Sequence, residues 1–159
     1  MLEIERVARL KHRYLVRDDA GHSGTWERHG LREQMSGDLG GEPYELVRDG
    51  RRHFRLEQSE AELARADAAR LGRWTISTAD ATYELGRRKR WGSEMELRRV
   101  GQPVGTVRRA HHRTVVCDLP ADLAPPAQAF IGFLVLTLWD READSSAAGA
   151  AGAVAASGI

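Results

Sequence analysis

A run of apolar residues near the C-terminal end constrains the fold of this chain more than any other feature. The run opens with two prolines, has no charge from Ala129 to Trp139, and ends at a charged cluster that begins with Asp140. A helix here would be apolar on every side, so protein or lipid must surround it. A membrane-spanning helix needs about 20 apolar residues, and this run is shorter. We therefore predict a buried core helix over about 126–142, roughly 25 Å long at about 1.5 Å per residue. A membrane-associated helix and a signal-like segment are the alternatives.

The composition is that of one globular domain with mixed charge. The 159 residues carry a formal net charge of +1, which argues against a nucleic-acid binder, because such domains are usually strongly basic. Cys117 is the single cysteine, so it cannot form an internal disulfide, and we expect it to be a small buried side chain. The first residues lack the charged-then-apolar pattern of a secretion signal. We expect a cytoplasmic, reduced protein that is not an integral membrane protein.

Apolar and polar residues alternate along much of the chain, as they do in half-buried β-strands. The clearest case is residues 44–56, where the pair Asp49-Gly50 separates two alternating runs and predicts a β-hairpin. The glycine-rich stretch 30–41 predicts a loop. Segment 4–10 is compatible with a strand or a helix. Further short strands are expected near residues 12–18, 24–28, 74–78, 83–85, 95–97, 104–108 and 114–118.

Two stretches predict something other than a strand. Residues 59–72 contain a capping box that starts at Ser59, several alanines and a terminal Gly72, so the local pattern favours a helix. Residues 143–159 consist mainly of Ala, Gly and Ser. Such a composition predicts a disordered tail after a folded domain of residues 1–142.

About ten short strands at a spacing of roughly 8–12 residues suggest a sandwich or a barrel. Closing a sheet removes its edges, and a barrel of that many strands has an interior that side chains alone do not fill. An all-apolar helix would fill it. The predicted fold class is therefore all-β dominated: an antiparallel β-barrel, closed or nearly closed, that encloses the hydrophobic C-terminal helix.

Several short motifs resemble the tubby-like C-terminal superfamily, in its LURP-one-related and phospholipid-scramblase-like branch. Besides the terminal helix, the residues that carry the resemblance are Tyr14–Asp18, Arg73–Ile76, Tyr83–Leu85, Ser93–Leu97 and Val104–Val107. The resemblance covers roughly residues 1–142 and implies a barrel of about 12 strands around a hydrophobic helix. It also implies that residues 62–70 form a strand. We follow it there, because tertiary context often overrides helix propensity.

The most concentrated basic stretch provides the candidate site, which is expected at a hairpin tip and would bind anionic lipid headgroups. Each Lys or Arg near such a surface contributes about 1 kcal/mol, and Trp favours the membrane interface. The resemblance points the same way, because tubby-like relatives bind phosphoinositides through basic residues. An ordinary solvated turn is the alternative, and a second basic segment at 108–113 would extend the site only if both lie at one barrel end. The predicted site residues are Arg87, Arg88, Lys89, Arg90 and Trp91.

No arrangement typical of an enzyme or a metal site stands out in the sequence. His111 and His112 are neighbours, so on a strand they would point to opposite faces, and zinc-ligand spacing is absent. The turn at 18–21 lacks the later ligands of a calcium loop. His22 and the acidic residues of this turn are too close in sequence to form the nucleophile–base–orienter arrangement of a catalytic triad. The sequence contains neither a Gly-x-Ser-x-Gly elbow nor a Gly-rich phosphate loop. We expect no catalysis, no cofactor and no metal.

The predicted function is therefore a non-catalytic, peripheral module that binds anionic phospholipid headgroups. A protein-interaction or scaffold domain is one alternative. A small-molecule binder or enzyme that uses one end of the barrel is the other, and it requires a polar cavity near an end of the helix.

Overall fold

Twelve antiparallel strands and one long helix make up the computed structural model, which describes residues 1–8, 12–30 and 33–156. Each strand pairs with its neighbours in sequence, and the first pairs with the last, with Leu2 opposite Cys117, so the sheet is closed. The predicted closed antiparallel barrel is confirmed. In chain order the strands are β1 (Leu2–Ala8), β2 (Arg13–Asp18), β3 (Ser23–His29), β4 (Gln34–Leu39), β5 (Glu42–Arg48), β6 (His53–Gln58), β7 (Ala61–Ala68), β8 (Trp74–Thr78), β9 (Thr82–Arg87), β10 (Met95–Arg99), β11 (Gln102–His111) and β12 (Thr114–Asp118).

Side chains alternate along each strand, so one face of the sheet lines the interior. Leu2 and Ile4 on β1 are buried in this way, as are Phe54 and Leu56 on β6. Cys117 is also fully buried, which confirms the prediction for the single cysteine. The segment 4–10, which is compatible with a strand or a helix from its sequence, is a strand as far as Ala8, because it belongs to β1. Residues 9 and 10 lie outside the described part of the chain.

The helix α1 (Pro125–Ala156) fills the barrel with its first half. All residues from Ala129 to Val135 are buried, which confirms the predicted core helix. The Phe133 ring lies edge-on to Tyr14, with 5.4 Å between ring centroids, and 5.1 Å from the Trp26 ring centroid. Within the described residues, no helix combines the length and the apolar character that crossing a bilayer requires.

The helix defines two ends of the barrel. It begins at the lower end, where β12 finishes and where the connections β2–β3, β4–β5, β6–β7, β8–β9 and β10–β11 lie. It leaves at the upper end, where the connections β1–β2, β3–β4, β5–β6, β7–β8, β9–β10 and β11–β12 lie. The connections alternate between the ends because neighbouring strands are antiparallel.

The prediction of a loop over residues 30–41 is wrong, because residues 34–39 form β4 and pair with β3 and β5. Residues 31 and 32 lie outside the described part. The glycine in β4 has a packing role: a Cβ on Gly37 would lie 2.4 Å from Cγ of Trp26, whose side chain is fully buried. Gly37 therefore leaves room for the Trp26 indole of the neighbouring strand β3, and it does not mark a loop.

Residues 61–68 form β7, as the family resemblance implies and against the local helix pattern. Ala64 and Ala66 are buried and alternate with exposed residues, so these alanines are the inward side chains of a strand beside the helix. Ser59 and Glu60 have φ values of 49° and 66°, which belong to a tight hairpin turn rather than to a helix N-terminus.

The helix continues well past its predicted end near residue 142. The predicted disorder from residue 143 is replaced by helix as far as Ala156. Alanine has the highest helix propensity, and the segment extends a helix that is already nucleated inside the barrel. Residues 143–150 are exposed and project from the upper end, whereas residues 157–159 lie outside the described part.

Candidate functional site

Charged residues are divided between the two ends of the barrel. The described connections at the lower end contain no Lys or Arg, and their acidic residues are Asp19, Glu60, Asp80 and Asp122. At the upper end the acidic residues of the described connections are Glu33, Asp49 and Glu94. The net charge of +1 therefore conceals a basic upper end and an acidic lower end. The cations in the described upper connections are Arg51, Arg52, Arg70, Arg73, Arg88, Lys89, Arg90 and Arg113.

The predicted site residues lie together at the upper end, from the end of β9 into its connection to β10. The Arg87 guanidinium pairs with Glu142 of α1 and donates to the Gly92 carbonyl oxygen at 3.0 Å. The Arg88 guanidinium pairs with the Glu94 carboxylate at 3.1 Å. These two cations have partners within the protein, so their positions are fixed and their charges are partly neutralised.

The tip of the connection is different, because its cations have no such partners. Lys89 and Arg90 form no ion pair with any residue in 1–8, 12–30 or 33–156. The Arg90 guanidinium lies 5.5 Å from the centroid of the Trp91 ring, and Trp91 is 90% exposed. An indole of this size in water has apolar surface that an external partner could cover.

A second exposed apolar side chain, Leu71, lies in the neighbouring β7–β8 connection between Arg70 and Arg73. Leu71 is 95% exposed, and its φ of 59° is left-handed, which is unfavourable for a residue with a Cβ. Sequence reasoning missed Leu71, because only the strand order places this connection beside the one between β9 and β10. We call residues 70–73 and 87–91 together the basic rim.

A groove of about 760 Å³ lies between the basic rim and α1. Arg73, Arg87 and Arg90 line it, and Trp139 contributes an apolar surface. Glu142 also lines the groove, but it is paired with Arg87. Guanidinium groups bind carboxylates and phosphates through parallel hydrogen bonds. Arg90 offers such a group here, whereas Arg73 pairs with Glu84 and Arg87 with Glu142.

The basic rim is fixed to the helix. The Trp139 Nε1–H donates to the Ser93 carbonyl oxygen at 2.9 Å, in the connection between β9 and β10. The Arg109 guanidinium lies 4.6 Å from the centroid of the Trp139 ring on the same helix. The Trp139 hydrogen bond and the ion pair between Arg87 and Glu142 hold the β9–β10 connection against α1, and the contact with Arg109 fixes the Trp139 ring. The exposed residues Lys89, Arg90 and Trp91 therefore project from a connection whose backbone is held against the helix.

Arg141 fastens α1 to the barrel wall where the helix leaves the interior. Its guanidinium donates to the two Glu33 carboxylate oxygens at 2.8 and 2.6 Å and to the Arg51 carbonyl oxygen at 2.9 Å. The hydrogen bonds from Arg141 hold the pKa of Glu33 below its usual value, against the raising effect of partial burial. Arg141 is thus occupied by the fold. Of the cations in the basic rim, Arg70, Lys89 and Arg90 form no ion pair with a described residue and are left for a ligand.

The second basic segment, residues 108–113, lies at the same upper end as residues 87–91. It therefore meets the condition under which it would extend the predicted site. The expectation that His111 and His112 would point to opposite faces holds only for neighbours on a strand, and it does not apply here, because His112 lies in the turn after β11. Both line a cavity of about 100 Å³ together with Arg113. Among the residues that the structure describes, no group of His, Cys, Asp or Glu side chains is arranged to hold a metal ion.

Comparison of the chain with protein-family models, with curated proteins and with solved structures gives no match. The closed barrel around a helix agrees with the fold that the tubby-like resemblance implies. Membership of that superfamily stays a prediction.

Proposed function

We propose that this protein is a non-catalytic module that binds anionic phospholipid surfaces through its basic rim. The observation that carries the proposal is the combination of exposed apolar side chains with unpaired cations: Trp91 beside Lys89 and Arg90, and Leu71 beside Arg70. The cations attract the rim to anionic headgroups, and the apolar side chains enter the interfacial layer.

The expected affinity is modest and depends on salt. Each Lys or Arg near an anionic surface contributes about 1 kcal/mol, so Arg70, Lys89 and Arg90 contribute roughly 3 kcal/mol together. Removing a Leu side chain from water contributes about 1.5–3 kcal/mol, and Leu71 is exposed enough to gain most of this. Salt weakens the first contribution, because the Debye length falls from about 10 Å at 0.1 M to about 3 Å at 1 M. Such a rim acts as a reversible, peripheral anchor.

The projecting part of α1 restricts how the barrel meets a flat surface. Residues 143–150 extend from the same end as the basic rim, so the barrel does not rest on that end squarely. The rim occupies one side of the circumference, formed by the β7–β8 and β9–β10 connections. The proposal therefore includes a tilted approach, in which this side faces the headgroups and the helix runs beside the surface.

Vesicle co-sedimentation at about physiological salt tests the proposal. Wild-type protein and the variant Lys89→Glu/Arg90→Glu are mixed with phosphatidylcholine vesicles and with vesicles that also contain phosphatidylserine. We expect the wild type to sediment only with the anionic vesicles and the variant to stay in the supernatant. Lys89 and Arg90 are chosen over Arg87 and Arg88 because the latter pair with carboxylates of the protein, and their reversal would disturb the hairpin.

The matched control is Arg51→Glu/Arg52→Glu, which makes the same change of net charge in the β5–β6 connection, outside the basic rim, where both side chains are exposed and form no ion pair with a described residue. This control should sediment like the wild type. If both double variants lose binding equally, net charge and not the rim is responsible. If the wild type does not bind anionic vesicles, the proposal is overturned, and a protein-interaction role for the rim becomes the leading hypothesis.

A further inference from the structure

A second pocket lies at the lower end of the barrel, opposite the basic rim. It has a volume of about 350 Å³ and lies between β7, the β8–β9 connection and the segment that leads into α1. Leu56, Leu63, Leu123 and Ala127 give it a mostly apolar lining. Small-molecule sites have this character, with volumes of about 300–1,000 Å³ and a few polar groups that orient the ligand.

The polar groups of this pocket differ in how they are satisfied. Asp122 pairs with Arg99 at 3.2 Å, and the Arg99 guanidinium lies 5.8 Å from the centroid of the Tyr83 ring. Asp80 forms no ion pair with any described residue, and the Tyr83 hydroxyl has no hydrogen-bond partner among them. Burial and the Asp122 carboxylate raise the pKa of Tyr83, and Asp80 adds to this effect. The Arg99 guanidinium acts in the opposite direction and lowers this pKa.

The charges of the pocket favour a cationic ligand over an anionic one. Among its described lining residues, Arg99 is the only cation, and Asp122 neutralises it, whereas Asp80 is left over. A helix N-terminus normally attracts anions through its unpaired N–H groups. Here α1 begins with two prolines, which lack N–H groups, and the Gln128 N–H donates to the Ala124 carbonyl oxygen at 3.1 Å. Most donors that would hold an anion are thus missing or occupied.

We propose that this pocket binds a small organic ammonium ion with an apolar body. The apolar body lies against Leu56, Leu63 and Leu123, and the ammonium group donates hydrogen bonds to the Asp80 carboxylate and the Tyr83 hydroxyl oxygen. The acidic connections of the lower end raise the local concentration of such cations. This inference is independent of lipid binding, which uses the opposite end of the molecule.

Isothermal titration calorimetry of the full chain with n-octylammonium, below the concentration at which it forms micelles, tests the inference. Octanoate is the matched probe, because it has the same apolar body and the opposite charge. We expect octylammonium to bind and octanoate not to bind. Asp80→Asn should weaken octylammonium binding about tenfold, which corresponds to about 1.4 kcal/mol, because the charge-assisted hydrogen bond is lost.

Three further variants define what the result means. Glu60→Gln removes one charge from the same end but outside the pocket and should bind like the wild type, whereas Ala81→Phe fills the pocket and should abolish binding. The basic-rim variant Lys89→Glu/Arg90→Glu should bind octylammonium normally, which separates this site from the lipid surface. Equal or tighter binding of octanoate, equal weakening by the Asp80 and Glu60 changes, or no octylammonium binding at millimolar concentration would each overturn the inference.

Discussion

Lys89 and Arg90 differ from the arginines just before them in the partners that surround them. Arg87 and Arg88 are paired with carboxylates of the protein, whereas the two tip cations have no ion pair among the described residues. Pairs between exposed groups are worth only about 0–1 kcal/mol, so pairing mainly fixes the position of Arg88 and leaves it able to attract an anionic surface. Lys89 and Arg90 can therefore bind an anionic surface without first breaking an ion pair with another described residue.

Trp91 should report membrane contact directly. The other tryptophans, Trp26, Trp74 and Trp139, are 0%, 4% and 5% exposed, so a change in emission on addition of vesicles would come from Trp91. We expect a blue shift with anionic vesicles and none with neutral ones, because the indole leaves water for the interface. Trp91→Phe should abolish the shift and weaken binding several-fold. A blue shift of equal size in the Trp91→Phe protein would contradict the assignment.

At the scale of elements, the inner half of α1 and the barrel wall approach each other closely at Gly132. A Cβ at this position would lie 2.5 Å from Cδ1 of Ile4 and 2.7 Å from Sγ of Cys117, which are on β1 and β12. Glycine inside a helix is less favourable than alanine by about 1 kcal/mol. Close packing against the two strands that close the barrel explains why glycine is nevertheless accommodated here.

Replacing this glycine tests how tightly the helix is enclosed. Gly132→Leu should lower the free energy of unfolding in urea by about 1–3 kcal/mol or more, because the added side chain overpacks the interior. Gly149→Ala is the control: it lies on the projecting part of the same helix, where an added Cβ meets nothing within 4 Å, and it should cause no loss. A Gly132→Leu protein as stable as the wild type would be incompatible with a helix packed against β1 and β12.

The sequence predicts an element well where its own side chains carry the pattern. Residues 44–56 and 74–78 alternate plainly, and a period of two suffices to place those strands. β4 could not be predicted, because Gly37 makes room for an indole from a neighbouring strand, which is a tertiary contact. The inward residues of β7 are alanines, which suit a helix equally well, so only the family resemblance indicated a strand.

The candidate site was predictable only in the part that is continuous in sequence. Residues 87–91 stand out by their density of charge, and they do lie together at the upper end. Leu71 does not stand out, because its exposure depends on a left-handed backbone. The placement of its connection next to the one that carries Trp91 depends on the order of strands around the barrel. The segregation of acidic and basic connections to opposite ends follows from the same topology.

At the scale of the whole molecule, the separation of basic and acidic connections makes the barrel electrostatically polar along its axis. All Lys and Arg residues of the described connections lie at the upper end, whereas the charged residues of the lower connections are Asp and Glu, although the net charge is just +1. Near an anionic surface such a molecule turns its basic end toward that surface before contact. The proposed ammonium pocket, lined in part by Asp80, would then face away from that surface.

The contribution of Glu33 to global stability should disappear in acid. Its hydrogen bonds with Arg141 hold its pKa in the folded protein below the unfolded value of about 4.3, so the folded state binds this proton less readily. The stabilisation is present above the unfolded pKa and is lost as the pH falls through the folded pKa. Glu33→Gln should lower the free energy of unfolding at pH 7 by about 1–3 kcal/mol.

Urea unfolding at a series of pH values checks this prediction. The wild type should lose more stability than Glu33→Gln between pH 7 and pH 3, because only the wild type has this carboxylate to protonate. Parallel stability curves for the two proteins would show that the carboxylate does not fasten α1 to the wall.

The helix that fills the barrel comes after all twelve strands in the chain, and the strands that close the ring, β1 and β12, are far apart in sequence. During synthesis the apolar inner face therefore has nothing to cover it until the residues from Ala129 onward leave the ribosome. Closure by such distant strands is slow, on the order of milliseconds to seconds. A nascent chain of this kind exposes an apolar sheet face and unpaired strand edges, which makes it prone to aggregation until the helix covers that face.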